Sequence, residues 1–406
     1  MDKLSDRLLS MAPSATLAMS AKSAELKAQG IDVINMSVGE PDFNTPDAIK
    51  DAAKKAIDDN ITRYSPVPGY ADLKKAIAAK LLRENSLEYA PSQIVVSSGA
   101  KHCIANAIMA LVNPGDEVII PAPYWVSYPQ LATLAGGVPV HIPATIDNDF
   151  KITPAQLEAA ITPRTRLIIL CSPCNPTGSI YSREELNALA EVILAHERII
   201  VISDEIYEHL NYSGAHASIA TCPGMKERTA IVNGVSKAYA MTGWRIGFIA
   251  APEWIAKGCS LLQGQFTSGP CSVSQMAAIA AWNGDQQCVE TMRRAFQRRR
   301  DLIVKLAREI PGLEVNVPQG AFYLFPKCSS YFGRKCAECE TAGSWSGRTI
   351  ENSTDFAMFL LEVGHVATVS GDAFGSPECF RMSYALSDDN ITEALKRISK
   401  ALELLS

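Results

Sequence analysis

A lysine, an aspartate and an arginine follow buried segments in positions that should bring their side chains together. Lys237 comes shortly after the apolar run 229–233, which is followed by a glycine. Asp204 follows the apolar run 199–203, and Arg245 lies a short distance beyond the lysine. Because ligands of parallel sheets gather beyond the carboxyl ends of the strands, we expect an amine, a carboxylate and a guanidinium to share one site.

These three groups match the needs of pyridoxal phosphate. An ionised Asp204 at the inner end of a covered strand is costly unless a cation faces it, and a protonated pyridine nitrogen is such a cation. Lys237 would bond covalently to the cofactor and later carry a proton between the substrate α-carbon and the cofactor. Arg245 would hold the phosphate. Simpler alternatives stay open: a helix-capping aspartate, a surface lysine after a turn and a structural ion pair.

The strand-to-helix junction at Gly99, Ala100 and Lys101 adds a second anion-binding feature. It precedes an apolar helix that we expect to begin near His102, and free amide groups at a helix start bind phosphate. A glycine is common in any such turn, so the junction indicates a phosphate site only when it is considered together with Lys237 and Arg245.

Three further side chains are candidates for contact with the cofactor ring. Asn175, in the motif 175–178, and Tyr207 can both hydrogen-bond the phenolic oxygen of the ring, and Trp125 can stack on its face. The asparagine motif is also compatible with an ordinary turn, and an aromatic residue at a strand end often belongs to the core. Both alternatives remain for these residues.

Alternating helical and strand patterns from about Ala48 to Gly284 predict a mostly parallel sheet sandwiched by helices. Near-continuous apolar runs mark strands that are covered on both faces: 93–96, 117–120, 167–170, 199–202 and 231–232. We therefore predict an α/β fold with a large cofactor-binding domain, residues 48–290. A smaller α+β domain, residues 1–47 and 291–406, would close over the substrate.

The C-terminal part combines strand patterns with a polar insert. Apolar segments at 313–317, 320–325 and 379–384 predict strands of the smaller domain. The insert 327–353 is rich in Gly, Ser, Cys and charge and predicts a surface excursion. The arginine run 298–300 lies in a helical pattern and is expected on its solvated face.

Composition limits the classes of function. The 406 residues are 47% apolar and 20% charged with a net charge of −5, which is typical of an enzyme and provides no basic stripe for nucleic acid. No stretch is long and apolar enough to span a membrane. Eleven cysteines without a secretory leader favour a reducing, cytoplasmic compartment.

The cysteines do not form a recognisable metal site. Cys336 and Cys339 lack two further ligands, so no metal is predicted. Cys171 and Cys174 flank a turn beside the predicted cofactor, where a small soft side chain packs easily, and we assign both to packing.

Eight motifs follow one another in an order that is known from one family: 13–16, 39–43, 63–64, 99–101, 122–128, 175–178, 203–208 and 236–245. On these motifs the chain resembles the class I aminotransferases, which are pyridoxal-phosphate enzymes of fold type I. Within them it is similar to the prokaryotic-type aspartate aminotransferases and the plant-type prephenate aminotransferases. The resemblance runs nearly end to end.

The resemblance implies a role for each candidate residue. Lys237 would be the lysine that bonds to the cofactor, with Asp204 on the pyridine nitrogen. The other implied cofactor contacts are Asn175 and Tyr207 on the ring oxygen, Trp125 on the ring face, and Arg245, Ser236, Gly99, Ala100 and Lys101 around the phosphate.

The resemblance also implies substrate and subunit contacts. Arg381 matches the arginine that grips the substrate α-carboxylate, a task suited to a planar bidentate group. Gly39 would lie over the substrate on a mobile N-terminal segment, and Trp125 and Asn175 would also contact the substrate. The implied assembly is a homodimer with shared active sites, in which Tyr64 of one subunit reaches the phosphate bound in the other.

The chain departs from the family pattern at two points. Many relatives place a serine three residues before the lysine, where this chain has Gly234, which puts the hydroxyl contact to phosphate in doubt; Ser236 directly precedes Lys237. No second arginine for a side-chain carboxylate is found, and Lys101 matches the lysine that replaces it in the prokaryotic type. With Thr16 assisting, Lys101 is predicted to select a second carboxylate.

The predicted activity is aspartate aminotransferase: transfer of the amino group from L-aspartate to 2-oxoglutarate, giving oxaloacetate and L-glutamate. Prephenate also carries two carboxylates, so a bifunctional aspartate/prephenate aminotransferase that makes arogenate is the alternative. A pyridoxal-phosphate lyase on the same scaffold and a non-catalytic protein of this fold are more remote alternatives.

Overall fold

The computed structural model describes residues 4–406 of the chain. The helices of this part are α1 (Asp6–Leu9), α2 (Ala15–Ala28), α3 (Asp47–Asp58), α4 (Ala71–Asn85), α5 (Ala100–Leu111), α6 (Ser127–Leu134), α7 (Pro154–Ala160), α8 (Arg183–Leu194), α9 (Glu253–Phe266), α10 (Ser272–Asn283), α11 (Gln287–Arg308), α12 (Ser353–Glu362) and α13 (Asp388–Leu402). The strands are β1 (Ile34–Asn35), β2 (Ile94–Ser97), β3 (Glu117–Ala122), β4 (Val138–Pro143), β5 (Thr165–Cys171), β6 (Ile200–Asp204), β7 (Thr229–Gly234), β8 (Gly247–Ala250), β9 (Tyr323–Leu324), β10 (Val366–Ala367), β11 (Val369–Ser370) and β12 (Phe380–Ser383).

A seven-stranded sheet forms the centre of the fold. Its strand order is β2-β8-β7-β6-β5-β3-β4, and β8 runs antiparallel to both of its neighbours while the other pairs are parallel. The predicted α/β class and the five predicted strands are confirmed. Strands β4 and β8 were not predicted, because β4 is a partly exposed edge strand with two prolines and β8 is only four residues long.

Alternate residues of the central strands bury their side chains on opposite faces of the sheet. In β5, Leu167 and Ile169 pack in one hydrophobic cluster, whereas Ile168 and Leu170 pack in another. Helices α5, α6 and α9 cover the first face, and α7 and α8 cover the second. Full burial of each such side chain contributes about 1.5–3 kcal/mol, so the strand ends that carry the polar residues are held by a rigid support.

Helix α5 starts directly at the carboxyl edge of this sheet. It begins at Ala100, two positions before the predicted start, and Gly99 is its N-cap with a φ of +89°. That value lies in the region that only glycine adopts readily. The glycine thus lets the chain turn from β2 into the helix while the helix N-terminus faces the strand ends.

The C-terminal part contains two small sheets. Strands β11, β12 and β9 form an antiparallel sheet in that order, and β1 pairs in parallel with β10. The N-terminal segment is therefore tied to the C-terminal part. The domain boundaries themselves stay a prediction.

Only part of the predicted strand content of this region is present. The segment 379–384 contains β12, and 320–325 contains the two-residue β9. The prediction for 313–317 was wrong, because Glu314 makes only an isolated bridge with Lys327. Val315 and Val317 instead pack their side chains against the C-terminal hydrophobic cluster.

The prediction that the arginine run lies on a solvated helix face was wrong for two of its three residues. Arg298 is exposed, whereas Arg299 and Arg300 are only 7% and 8% exposed. Arg299 donates two hydrogen bonds to Asp42, at 2.7 and 2.9 Å, and Arg300 donates to the Pro318 carbonyl at 2.6 Å. These buried guanidinium groups are stabilised by hydrogen-bond acceptors that are distant in sequence. A local sequence pattern cannot predict such acceptors.

The insert 327–353 is also more buried than predicted. Its apolar side chains Cys328, Tyr331, Cys336, Ala342, Trp345 and Ile350 belong to the C-terminal hydrophobic cluster. The Trp345 indole donates to Glu362 at 2.9 Å. The insert is therefore a folded extension of the C-terminal core, since its widely spaced apolar residues meet the same cluster. Within residues 4–406, no helix has both the length and the apolar character needed to cross a membrane.

Candidate active site

A cavity of about 300 Å³ lies beyond the carboxyl ends of β5, β6 and β7. Twelve of the fourteen predicted site residues line it: Thr16, Gly39, Ala100, Lys101, Trp125, Asn175, Asp204, Tyr207, Ser236, Lys237, Arg245 and Arg381. The residues come from eight separated stretches of chain. The topology of the central sheet brings together those that follow its strands.

Lys237 presents its amine to this cavity. Its Nζ donates to the carbonyl oxygen of Gly39 at 2.7 Å and lies 5.8 Å from the centre of the Tyr207 ring. Burial lowers the pKa of Lys237 to about 8. Because a neutral amine is the nucleophile and the base, the site raises the fraction of Lys237 that is ready to react at neutral pH.

Asp204 is the buried carboxylate of the site, with 4% exposure. The Tyr128 hydroxyl donates to its Oδ2 at 2.7 Å, and the Ile206 backbone N–H donates to its Oδ1 at 3.2 Å. Burial nevertheless raises the pKa of Asp204 to about 6. A cationic ring nitrogen placed in the cavity would offset this desolvation cost and keep the carboxylate ionised.

Arg381 is a buried guanidinium without a carboxylate partner among residues 4–406. It donates to Asn175 Oδ1 at 2.9 Å and to the Ser37 carbonyl at 2.6 Å, and its Nε has no hydrogen-bond partner. The guanidinium also lies 4.6 Å from the centre of the Tyr323 ring. A buried cation in this state calls for an anion, and a carboxylate can accept from it in the bidentate manner.

Arg245 lines the cavity beside the start of α5. It donates to the Thr242 carbonyl at 2.8 Å and to the Ser98 carbonyl at 3.3 Å. A methyl group added to Gly99 would lie 2.8 Å from the guanidinium carbon of Arg245. Because Gly99 has no side chain, the Arg245 guanidinium can lie close to the N-terminus of α5. A guanidinium beside a helix N-terminus is suited to binding a phosphate.

Lys101 and Trp125 lie together on the wall of the cavity. The Lys101 ammonium is 4.9 Å from the centre of the Trp125 ring. Burial and the neighbouring Arg245 lower the pKa of Lys101. Lys101 has no carboxylate partner within residues 4–406, so it is a second cation that an anionic ligand can approach.

Two predicted residues lie outside the cavity lining. Gly99 is directly behind it, in contact range of Arg245. Tyr64 is fully exposed in the single chain and is not brought to the site. The hydroxyl of Ser236 is available at the lining, whereas a Cβ on Gly234 would lie 2.7 Å from the Ile246 carbonyl oxygen, so this backbone leaves no room there for a serine.

Three contributors were missed from the sequence. Tyr128 supports Asp204, and although it belongs to the motif 122–128 no role was assigned to it. The Tyr323 hydroxyl lies 2.7 Å from that of Tyr207, and Ser37 accepts from Arg381. Tyr323 and Ser37 contact their partners across long sequence distances. Tyr323 lies within the predicted strand 320–325 and Ser37 lies two residues before the motif 39–43, but neither position indicated a role.

The model of the family "Aminotransferase class I and II" matches residues 31–398. The chain belongs to this family. Its enzymes transfer amino groups, so the predicted enzyme class and fold type are confirmed.

Relatives of full length carry more specific names. An aspartate/prephenate aminotransferase from Cereibacter sphaeroides is 49% identical, over 97% of both chains, and an aspartate aminotransferase from Geobacillus stearothermophilus is 49% identical over 99% of both. The solved aspartate aminotransferase from Rhizobium meliloti is 44% identical with a TM-score of 0.95 over the whole of both chains. That from Thermus thermophilus, solved with maleate, is 39% identical with a TM-score of 0.90, over 99% of this chain and 100% of its own.

Proposed function

We propose that this aminotransferase uses pyridoxal phosphate and that the cavity is its binding site. The residues present fit the group. The Lys237 amine has a lowered pKa, the buried Asp204 needs a cation, and Arg245 at the helix start needs an anion. An aldehyde, a pyridine nitrogen and a phosphate on one ring would satisfy these three requirements together.

The bound cofactor would supply an electron sink that stabilises negative charge at the substrate α-carbon. Lys237 would hold the cofactor covalently at rest and, once released, move the proton at the α-carbon. Its lowered pKa of about 8 makes a larger fraction of the amine neutral at a given pH than in an ordinary lysine. Asp204 would keep the ring nitrogen charged, and Tyr128 would hold that carboxylate in place. Trp125 would cover one ring face, and Tyr207 would hydrogen-bond the ring oxygen, as would Asn175.

The proposed reaction is transfer of the amino group from L-aspartate to 2-oxoglutarate, giving oxaloacetate and L-glutamate. One observation carries it: two cations at the cavity, Arg381 and Lys101, have no carboxylate partner in the described chain. Arg381 would bind the α-carboxylate, and Lys101, with Thr16 beside it, the second carboxylate. Relatives named aspartate aminotransferase and a solved relative with maleate, a dicarboxylate, support this choice.

Prephenate is the second candidate acceptor. It also carries two carboxylates, and relatives from Cereibacter sphaeroides and Nitrosomonas europaea are named aspartate/prephenate aminotransferases at 49% and 47% identity. A chain with both activities would make arogenate. Transamination of prephenate by aspartate or glutamate separates this candidate from an enzyme restricted to oxaloacetate and 2-oxoglutarate.

The proposal includes a cytoplasmic homodimer. A tyrosine that is fully exposed in the single chain, Tyr64, would reach the phosphate of the partner subunit. All eleven cysteines are free, which suits a reducing compartment. Sedimentation of the holoenzyme tests the dimer, and Tyr64→Phe should weaken cofactor binding only if the two sites are shared.

The experiment that tests the substrate proposal is Lys101→Ala with several amino donors and 2-oxoglutarate as acceptor. Losing a charge-assisted contact costs about 2–3 kcal/mol, so kcat/KM for aspartate should fall by about 30- to 150-fold. Alanine has no second carboxylate, and its kcat/KM should change little. The matched control is Lys75→Ala, which removes an exposed lysine paired with Asp72.

Equal losses for aspartate and alanine in the Lys101→Ala variant would contradict the role of this lysine. A wild-type enzyme that prefers phenylalanine or leucine would contradict the dicarboxylate proposal as a whole. Formation of pyruvate and ammonia from an amino acid without any keto-acid acceptor would favour a lyase instead.

A further inference from the structure

Two cysteines connect two residues of the site. Cys171 ends β5 and is paired in register with Asp204 on β6. Cys174 directly precedes Asn175, whose Oδ1 accepts from Arg381. Cys171 also lines the candidate cavity. A covalent change at this pair would therefore act on the carboxylate and on the asparagine at once.

Both thiols have free space beside them, although Cys171 also packs against the hydrophobic cluster on one face of the central sheet. Both border a second, small cavity of about 20 Å³, and both are half-buried. Cys171 donates to the Pro173 carbonyl at 3.4 Å, and Cys174 to the Pro123 carbonyl at 3.8 Å. Thiols are weak hydrogen-bond donors, so these contacts offer little resistance to movement of the sulfur atoms.

The spacing of the pair is that of a C-x-x-C motif, the arrangement used by thiol–disulfide exchange sites. Interaction with the neighbouring thiol lowers the pKa of Cys174 and raises the pKa of Cys171. The thiolate is the attacking species, so Cys174 is the nucleophile of the pair. The fully buried Cys103, by contrast, has a pKa raised to about 12 by burial.

We propose that Cys171 and Cys174 form a redox-active dithiol whose oxidation to a disulfide inactivates the site. The oxidant is a low-molecular-weight disulfide such as oxidised glutathione. The Cys174 thiolate attacks one of its sulfur atoms and releases one glutathione thiolate. Cys171, after losing its proton, attacks the Cys174 sulfur and releases the second. Two protein thiols are oxidised, one glutathione disulfide is reduced to two thiols, and the two protein protons pass to them.

The expected effect follows from the geometry of a disulfide. Its two sulfur atoms must come to about 2.05 Å from each other, which draws the ends of the turn 171–174 together. Movement at Cys171 changes the surroundings of Asp204, and movement at Cys174 shifts Asn175 away from Arg381. The effect on transamination rests on the proposed function, whereas the thiol chemistry does not.

The test equilibrates the purified full chain in mixtures of oxidised and reduced glutathione. Three quantities are measured: the mass of the proteolytic peptide that contains both cysteines, the binding of added pyridoxal phosphate by absorbance, and aspartate transamination by the holoenzyme. We expect a loss of two hydrogens from the peptide, weaker cofactor binding and activity at least about ten-fold lower, with a two-electron dependence on the glutathione ratio. Dithiothreitol should restore all three.

Two variants make the test specific. Cys174→Ser should keep the basal activity and lose the response, whereas Cys288→Ser, a partly buried cysteine on α11, should keep the response. A peptide that never loses two hydrogens, a mixed disulfide that persists on Cys174, or a 171–174 disulfide that leaves both cofactor binding and activity unchanged would each overturn the proposal. Absence of transamination in the reduced enzyme would instead contradict the proposed function. The peptide mass and the cofactor binding would still show whether the disulfide between Cys171 and Cys174 forms and disturbs the site.

Discussion

Replacement of Arg381 by lysine should weaken the binding of every amino-acid donor by a similar factor. The arginine makes two hydrogen bonds, to Asn175 and to the Ser37 carbonyl, and keeps its Nε free. A lysine ammonium is compact and cannot reproduce this planar fork. Losing one charge-assisted hydrogen bond to the α-carboxylate costs about 1.5–3 kcal/mol, which corresponds to a fall in kcat/KM of about 10- to 150-fold.

The assay compares aspartate and alanine as donors with 2-oxoglutarate as acceptor. Both donors carry the α-carboxylate, so their kcat/KM values should fall together and their ratio should stay constant. This separates the Arg381→Lys variant from Lys101→Ala, which should change the ratio. Arg298→Lys is the matched control, because Arg298 is exposed and pairs with Asp388 on the protein surface. A fall of less than about three-fold, or one confined to aspartate, would refute the assignment of the α-carboxylate to Arg381.

Two further predictions concern reactivity and stability. In cofactor-free protein, reductive labelling of Lys237 by an added aldehyde should reach half its maximal rate near pH 8, because burial favours the neutral amine; a midpoint near the ordinary value of 10.5 would contradict this. The corresponding stability cost of a buried ammonium is fully present below pH 8 and disappears as the pH rises toward 10.5. Asp42→Ala should lower the free energy of unfolding in urea by about 2–3 kcal/mol, because it leaves the buried Arg299 without its bidentate partner. Asp51→Ala breaks an exposed pair and should cost less than about 0.5 kcal/mol; equal losses in the two variants would show that burial of Arg299 is not the cause.

The central sheet and most of the cavity lining were predictable because they depend on local patterns. Near-continuous apolar runs marked the strands of the parallel region, and turn chemistry after each run marked the edge where Asp204 and Lys237 lie. The topology of such sheets then brings these edges together without further information. The remaining site residues were named by resemblance to a family, and their roles stay predictions.

The failures share a physical cause, which is dependence on distant partners. Arg299 looked solvated because its acceptor, Asp42, lies more than 250 residues away in sequence. The insert 327–353 looked like a surface loop because its apolar residues are sparse and meet the core only after folding. Tyr323 and Ser37 were overlooked for the same reason, since their partners Tyr207 and Arg381 are 116 and 344 residues away in sequence.

The pairing of β1 with β10 has a consequence for how the enzyme is made. Ile34 finds its partner, Val366, only when the ribosome has added more than 300 further residues, which takes about 20–60 s at ordinary rates of synthesis. Until then Gly39 is not anchored opposite Lys237, and the Ser37 carbonyl cannot accept its hydrogen bond from Arg381. A nascent chain released before the last strands are made would therefore lack both rims of the pocket. Completion of the catalytic centre and completion of translation are thus nearly the same event.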